Sequence, residues 1–225
     1  MYHLHTRRRS HHHPLPFVKR LNSDISQASH MTRTATITRN TQETRISIDL
    51  DLDGRGRSEV STGIPYFDHM LTLFAAHGFF DLTMKVDGDL EIDAHHTVED
   101  TGLALGMAIA DALGDRAGIK RYGLAVTPMD ETLAEVVLDL SNRPFLVYDF
   151  PDHRVRDGNF DAWLAREFFQ ALSVKAGMNL HINVRYGEND HHIIEGVFKS
   201  LGRALDQAVS IDPRIEGVRS TKGVI

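Results

Sequence analysis

The 225-residue chain has no cysteine. That excludes a disulfide framework, thiolate zinc sites, iron–sulfur clusters and a cysteine nucleophile. No run of 18 apolar residues is present, so nothing in the pattern spans a membrane. Positive charge is also in short supply. Lys and Arg number 25 against 31 Asp and Glu, a net charge of −6, which gives no support to nucleic-acid binding. The G-x-x-x-x-G-K-[ST] phosphate loop is missing. With 41% hydrophobic and 25% charged residues, the composition is that of a globular chain with room for one large domain or two small ones.

Histidine, by contrast, is abundant, at 14 residues. His3, His5, His11, His12, His13 and His30 lie in the first 30 positions, where Arg7, Arg8, Arg9, Lys19 and Arg20 face a single acid, Asp24. Residues 1–30 show no apolar periodicity and read as a disordered, His- and Arg-rich extension. No apolar core of a secretory signal follows the basic residues. The Arg-rich, acid-poor composition is compatible with a transit peptide, but an extension without functional consequence is preferred, and the folded protein is expected in the cytoplasm. Ordered patterning begins just after Met31.

From Arg33 to Leu52 apolar and polar residues alternate, as in a hairpin of half-buried strands. Asp49-Leu50-Asp51-Leu52-Asp53-Gly54 opens like a calcium loop, but the position of its bidentate glutamate holds Val60. Helical spacing of Phe67, Met70, Leu71 and Phe74 marks a helix over Pro65–Ala76, stopped by Gly78. Strands are expected at Asp81–Val86 and Leu90–Ile92, then a helix over His96–Leu113. The order then recurs, with strands near Gly123–Val126, Thr132–Leu140 and Phe145–Phe150 and a helix over Ala162–Ala176. A strand at Leu180–Val184 and a helix over His192–Val209 complete the second round. Gly102, Gly106 and Gly202 inside helices point to close packing. Trp163, Phe168 and Phe169 are expected in the core, and His153 in a solvated loop. His181 is left unassigned between packing and function.

The two rounds share a motif. His95-His96-Thr97-Val98-Glu99 and His191-His192-Ile193-Ile194-Glu195 both read H-H-x-x-E, 96 residues apart. At the same offset Leu105, Gly106, Ala108 and Ala112 match Leu201, Gly202, Ala204 and Ala208, which indicates a tandem duplication. The expected fold is α+β, an internal duplication of two half-domains, each a mixed β-sheet covered on one face by helices. Residues 31–120 and 121–225 would form the halves.

On a helix, residues i and i+4 share a face, so His95 meets Glu99 and His191 meets Glu195. Adjacent histidines diverge by about 100° and cannot easily hold one ion together. Each motif should therefore feed two metal positions. Aligning Leu82 with Leu180 sets His69 opposite Glu167, adding one candidate ligand from each half. The eight candidates are His69, His95, His96, Glu99, Glu167, His191, His192 and Glu195. Imidazole and carboxylate without sulfur suit Mn, Fe, Co, Ni or Zn. A dinuclear hydrolase that activates water, or a non-catalytic metal staple between subunits, would use the same ligands.

Further segments carry a resemblance. These are Arg39-Asn40-Thr41-Gln42-Glu43-Thr44, Gly63-Ile64-Pro65-Tyr66-Phe67-Asp68-His69-Met70-Leu71, Asp93-Ala94-His95-His96-Thr97-Val98-Glu99-Asp100, Asp139-Leu140-Ser141-Asn142-Arg143-Pro144, Asn189-Asp190-His191-His192 and Ser220-Thr221-Lys222-Gly223-Val224. From Arg33 to Ile225 the sequence resembles imidazoleglycerol-phosphate dehydratase, a hydro-lyase of histidine biosynthesis. The resemblance implies two manganese ions per active site and a homo-oligomer, a 24-mer built from trimers, with active sites between subunits. No nucleic-acid or membrane partner is expected, on the net charge and the lack of a long apolar run. In some relatives the position of Glu167 carries His.

The resemblance further implies that metal-held imidazole nitrogens let the ring push out the neighbouring hydroxyl, while a carboxylate takes a carbon-bound proton. Glu43 matches that base, with Glu99 and Glu195 also at the catalytic centre. Arg121, Arg143, Lys199, Ser220, Thr221 and Lys222 match substrate positions, chiefly for phosphate, and His77 matches a substrate contact. His69, His95, His96, Glu99, His191, His192 and Glu195 would touch the substrate through the metals. On this reading a chain beginning at Met31 retains its turnover. A dehydration assay on full-length and shortened protein checks this, and a large loss of activity would refute it.

Overall fold

A computed structural model describes residues 32–150, 156–157 and 160–225. The extension, His153 and their expected environments lie outside the described residues. Strands β1 (Thr34–Asn40) and β2 (Thr44–Asp51) form the expected hairpin, followed by β3 (Ser58–Ser61), α1 (Pro65–Gly78), β4 (Asp81–Gly88) and α2 (His95–Leu113). The second round is β5 (Tyr122–Met129), β6 (Thr132–Asp139), β7 (Phe145–Asp149), a small hairpin β8 (Arg156–Asp157) and β9 (Phe160–Asp161), α3 (Ala162–Ala176), β10 (Asn179–Tyr186) and α4 (Asp190–Val209).

The sheets have the orders β1-β2-β4-β3 and β5-β6-β10-β7. In each, three neighbouring strands run antiparallel and the last, β3 or β7, pairs in parallel. This is the duplicated α+β architecture that the repeat implies. Period-two alternation decides which face is buried. Ile46, Ile48, Leu50, Leu82 and Met84 turn inward from the first sheet, and Ala134, Val136, Leu138, Leu180 and Ile182 from the second.

The helices cross between halves: α1 packs on α4 and α2 on α3. Glycine sets how close they come. A Cβ at Gly106 would lie 2.8 Å from the Leu172 carbonyl and 2.9 Å from the Ala176 amide. A Cβ at Gly202 would press on the carbonyl of Phe74 and the amide of Gly78. Both crossings thus use the same contact, as a duplication requires. Phe67, Phe168, Phe169 and Phe198 fill the space around them with edge-on, tilted and stacked rings.

Two expectations are corrected. Leu90–Ile92 is a turn, not a strand. The Leu90 amide bonds the Gly88 carbonyl and the Ile92 amide that of Asp89, which bends the chain before any partner strand can add. Trp163 is 74% exposed, whereas Phe168 and Phe169 are buried. It lies two residues before buried Ala165, and about 200° of helical rotation puts it on the far side of α3.

Replacing Gly202 with Ala should lower stability. Helix propensity returns about 1 kcal/mol, but overpacking against backbone that cannot move aside costs about 1–3 kcal/mol, so the crossing term prevails. Denaturant unfolding measures this, and an unchanged midpoint would show that the α1–α4 crossing is slack.

Candidate metal centre and anion pocket

Helix α4 carries His191, Glu195 and Lys199 at successive i+4 positions on one stripe. Asn189 starts the helix, its side-chain oxygen accepting the amides of His191 at 2.9 Å and His192 at 3.3 Å. The α1–α4 crossing brings His69 to the same place. Its Nε2 stands 3.4 Å from Glu195 Oε2, and His191 Nε2 stands 3.0 Å from the same oxygen. The other carboxylate oxygen, Oε1, meets Lys199 Nζ at 2.6 Å. The edge of the Tyr66–His191 ring pair, with centroids 5.1 Å apart, packs one side of the cluster.

Ligand atoms of His69, His191 and Glu195 all lie within 4.8 Å of one another, the one such group among the described residues. Two imidazole nitrogens and one carboxylate at this spacing can close around a single divalent cation and leave positions open for a ligand. Glu195 is only 7% exposed. Burial pushes its carboxyl up, but the Lys199 ammonium and the hydrogen bonds from His191 and His69 outweigh that and hold it below the usual carboxylate range.

The first half holds an incomplete counterpart. His95 Nε2 lies 3.4 Å from Glu99 Oε2 on α2, matching His191 and Glu195. Glu167, the counterpart of His69, instead pairs with Arg166 at 3.2 Å on α3, so the expected third ligand is not drawn in. The second histidine of each pair turns away from the first, with ring planes at 75° for His95–His96 and 86° for His191–His192. His96 Nδ1 bonds Asp89 at 2.9 Å, and His192 Nδ1 bonds Glu131 at 2.8 Å. Each bond raises its histidine's pKa. Chiefly through His192, Glu131 falls to about 2.

Glu43 reaches the same neighbourhood because its hairpin turn is tied to α2. Thr44 and Arg39 both hold the Asp100 carboxylate, Arg39 at 2.5 Å, and the Asp89 amide bonds the Glu43 carbonyl at 3.1 Å. Glu43 Oε1 stands 3.8 Å from His96 Nε2.

Arg121, Arg143, Ser220, Thr221 and Lys222 line one cavity of about 680 Å³, joined by Tyr122 and Arg219. Glu43, His77 and Lys199 do not line it. Arg121 is fixed by a two-pronged pair with Asp139, at 2.6 and 3.0 Å, and it donates to the Arg219 carbonyl at 2.8 Å. Three of its five N–H donors are thereby used, leaving two for an anion. Its φ of 73° lies in the left-handed region, a strain of about 1–3 kcal/mol that the Asp139 pair offsets. Arg219 in turn donates to the Lys120 carbonyl at 2.9 Å and lies over the Tyr122 ring. Buried Arg116 bonds the carbonyls of Leu140, Ala176 and Gly177, securing the turn that carries Arg143. His77 sits elsewhere, in a cavity of about 420 Å³ with Arg203, Asp206 and Gln207. Burial, then Lys199 and Arg203, lower its pKa. His181 is exposed on β10.

Asp89, Glu131, Asp139, Arg116 and Arg219 escaped the reading of the residues. Asp139 and Glu131 act on groups far away in sequence, and no local pattern marks them. The repeat does carry one signal: Glu131 precedes buried Thr132 as Glu43 precedes buried Thr44.

Residues 62–205 match the family model described as imidazoleglycerol-phosphate dehydratase. The imidazoleglycerol-phosphate dehydratase of Desulfosudis oleivorans is 58% identical over 195 residues, covering 87% of this chain and all of that protein. That of Shouchella clausii is 57% identical over 197 residues, with the same coverage. Among solved structures, the Pyrococcus furiosus enzyme in complex with (S)-C348 superposes with a TM-score of 0.74 at 36% identity, covering 84% of this chain and all of its own. The Staphylococcus aureus enzyme gives 0.72 at 35% identity, over 80% of this chain and 99% of its own. Its sheets, helices and sequence alike assign the chain to the imidazoleglycerol-phosphate dehydratase family of hydro-lyases.

Proposed function

We propose that the chain removes water from D-erythro-imidazole glycerol phosphate to give imidazole acetol phosphate, using two divalent cations, manganese by preference. The observation that carries this reading is the convergence of His69, His191 and Glu195 at one helix crossing. The cations, when bound, supply a Lewis acid that favours the electron-rich form of the substrate's imidazole. His69, His191 and Glu195 would hold one. His95 and Glu99, with His96, His192 and Glu167 as further candidates, would share in the other. Such sites would lie between subunits of a homo-oligomer, a reading supported by the two-residue set at His95 and Glu99, which needs further ligands to close around an ion. No described helix is long and apolar enough to cross a membrane, and the cytoplasm is the proposed compartment.

The chain's own groups have separate tasks. Glu43 takes the carbon-bound proton, and the hydroxyl beside the ring departs with its bonding electrons, so that the balance is one water. Glu43 suits this because its side chain is half exposed, with His96 Nε2 3.8 Å away. Lys199 keeps Glu195 charged. Arg121, Arg143, Ser220, Thr221 and Lys222 bind the phosphate in their cavity, with guanidinium forks and hydroxyl donors converging from three segments of the chain.

Manganese should copurify or rebind with the protein, and a chelator should abolish dehydration; activity without metal would sink the reading. Phosphate release in place of dehydration would favour a hydrolase. Glu43→Gln should lower kcat by roughly 10²–10⁴-fold with metal content unchanged, the span expected for loss of a general base. Removing residues 220–225 should raise KM for the phosphorylated substrate, and an unchanged KM would detach the tail from phosphate binding.

A further inference from the structure

The second histidines of the two pairs have no role in the three-residue cluster, yet each is held. His96 gives Nδ1 to Asp89 at 2.9 Å, and His192 gives Nδ1 to Glu131 at 2.8 Å. A carboxylate can only accept, so a neutral ring bonded to it must carry its proton on Nδ1. The lone pair is then on Nε2.

The duplicated halves reach this result with residues that are not equivalent. Glu131 stands before β6 as Glu43 stands before β2. Gly88 and Gly187 also correspond, since a Cβ on either would collide with matching helix residues, Thr97 and Ile193. Asp89 therefore corresponds to Glu188, which is exposed and whose amide merely bonds Glu131. The connection from Gly187 to His191 is shorter than that from Gly88 to His95, and Glu131 takes over the task. Its Oε1 receives the amides of Glu188 and Asn189 at 3.2 and 2.8 Å, leaving Oε2 for His192. In the first half Asp89 serves the ring, and its Oδ1 is buried without a partner among the described residues. Glu43 is thus spared.

We propose that Asp89 and Glu131 are positioning residues that fix His96 and His192 as Nδ1–H tautomers, so that Nε2 of each ring is the atom offered to a divalent cation. The cation part rests on the metal reading above; the tautomer part stands on the geometry alone. A carboxylate behind a metal-binding imidazole both orients it and strengthens it as a donor.

Glu131→Gln and Asp89→Asn separate this from a structural role. Each new side chain keeps an oxygen of the same reach, so in Glu131→Gln the carbonyl oxygen can still accept the loop amides. The NH₂ group then faces Nδ1 and favours the Nε2–H tautomer, which blocks the donor atom. At alkaline pH, taken high enough that the ¹⁵N shifts show both rings neutral, solid-state ¹⁵N spectra of metal-free, histidine-labelled protein report the tautomers. Difference spectra against His96→Gln and His192→Gln assign the two rings. Wild type should show Nδ1–H at both, and each variant should switch its own ring. Manganese titration against a competing chelator should show affinity lower by about 10–100-fold in the variants, with secondary structure and assembly state retained. Glu131→Asp and Asp89→Glu should recover part of the loss. Nε2–H in the wild type, or variants that bind manganese as tightly as wild type, would overturn the proposal. A wild type that takes up no manganese but shows Nδ1–H would overturn the metal reading and keep the tautomer assignment.

Discussion

A carboxylate buried where two helices cross needs charged partners, and the centre of this molecule is built around that requirement. Glu195 loses most of its water where α4 meets α1. Burial by itself would raise its pKa. Lys199 one turn further on, with His191 one turn back and His69 from the other half, supplies the compensation. The crossing must therefore be close, and Gly202 makes it so by admitting the backbone of Phe74 and Gly78. Gly202 lies on α4 with His191, Glu195 and Lys199, and only His69 comes from α1, so packing and chemistry share this one crossing.

Duplication explains both the sameness and the difference of the halves. Sheet order, the parallel edge strand and the glycine at the helix crossing repeat. The polar groups have diverged. His69 is matched by Glu167, which turns to Arg166, so the α1–α4 crossing gathers three candidate ligand atoms and the α2–α3 crossing two. Glu43 is matched by Glu131, which holds four donors: a threonine hydroxyl, two amides and an imidazole. A carboxylate so fully engaged has little basicity left, as its pKa near 2 reflects. Identical ancestry has thus left one glutamate half exposed and committed the other to holding a ring.

Much of this was legible from residue order because it rests on short periods. Helical spacing gave α1, α2, α3 and α4 within a residue or two, and i+4 spacing gave His95–Glu99 and His191–Glu195. The repeat gave the two-sheet plan. Misses came where a longer-range or purely local preference prevailed. Leu90 and Ile92 look like strand residues, but backbone hydrogen bonds within the turn claim them first. Trp163 is apolar, yet its angular position on α3 faces away from the core. The partners of the second histidines were out of reach, because Asp89 and Glu131 approach across a loop and a hairpin whose lengths differ between halves.

The anion pocket shows a further consequence of placing a site on chain segments far apart in sequence. Arg121 lies between α2 and β5, Arg143 in the turn after β6, and Ser220 to Lys222 beyond α4. Such a pocket keeps its shape only if each segment is tied down by something other than the ligand. Asp139 holds Arg121, Arg121 holds the Arg219 carbonyl, and Arg219 holds the Lys120 carbonyl. Arg116 secures the Arg143 turn through three backbone carbonyls. The arginines around this cavity are thus divided between those that build it and those with donors to spare. Total positive charge near the pocket overstates what an anion could use, and under the proposed function the remaining donors of Arg121, together with Arg143 and Lys222, would be the groups that meet it.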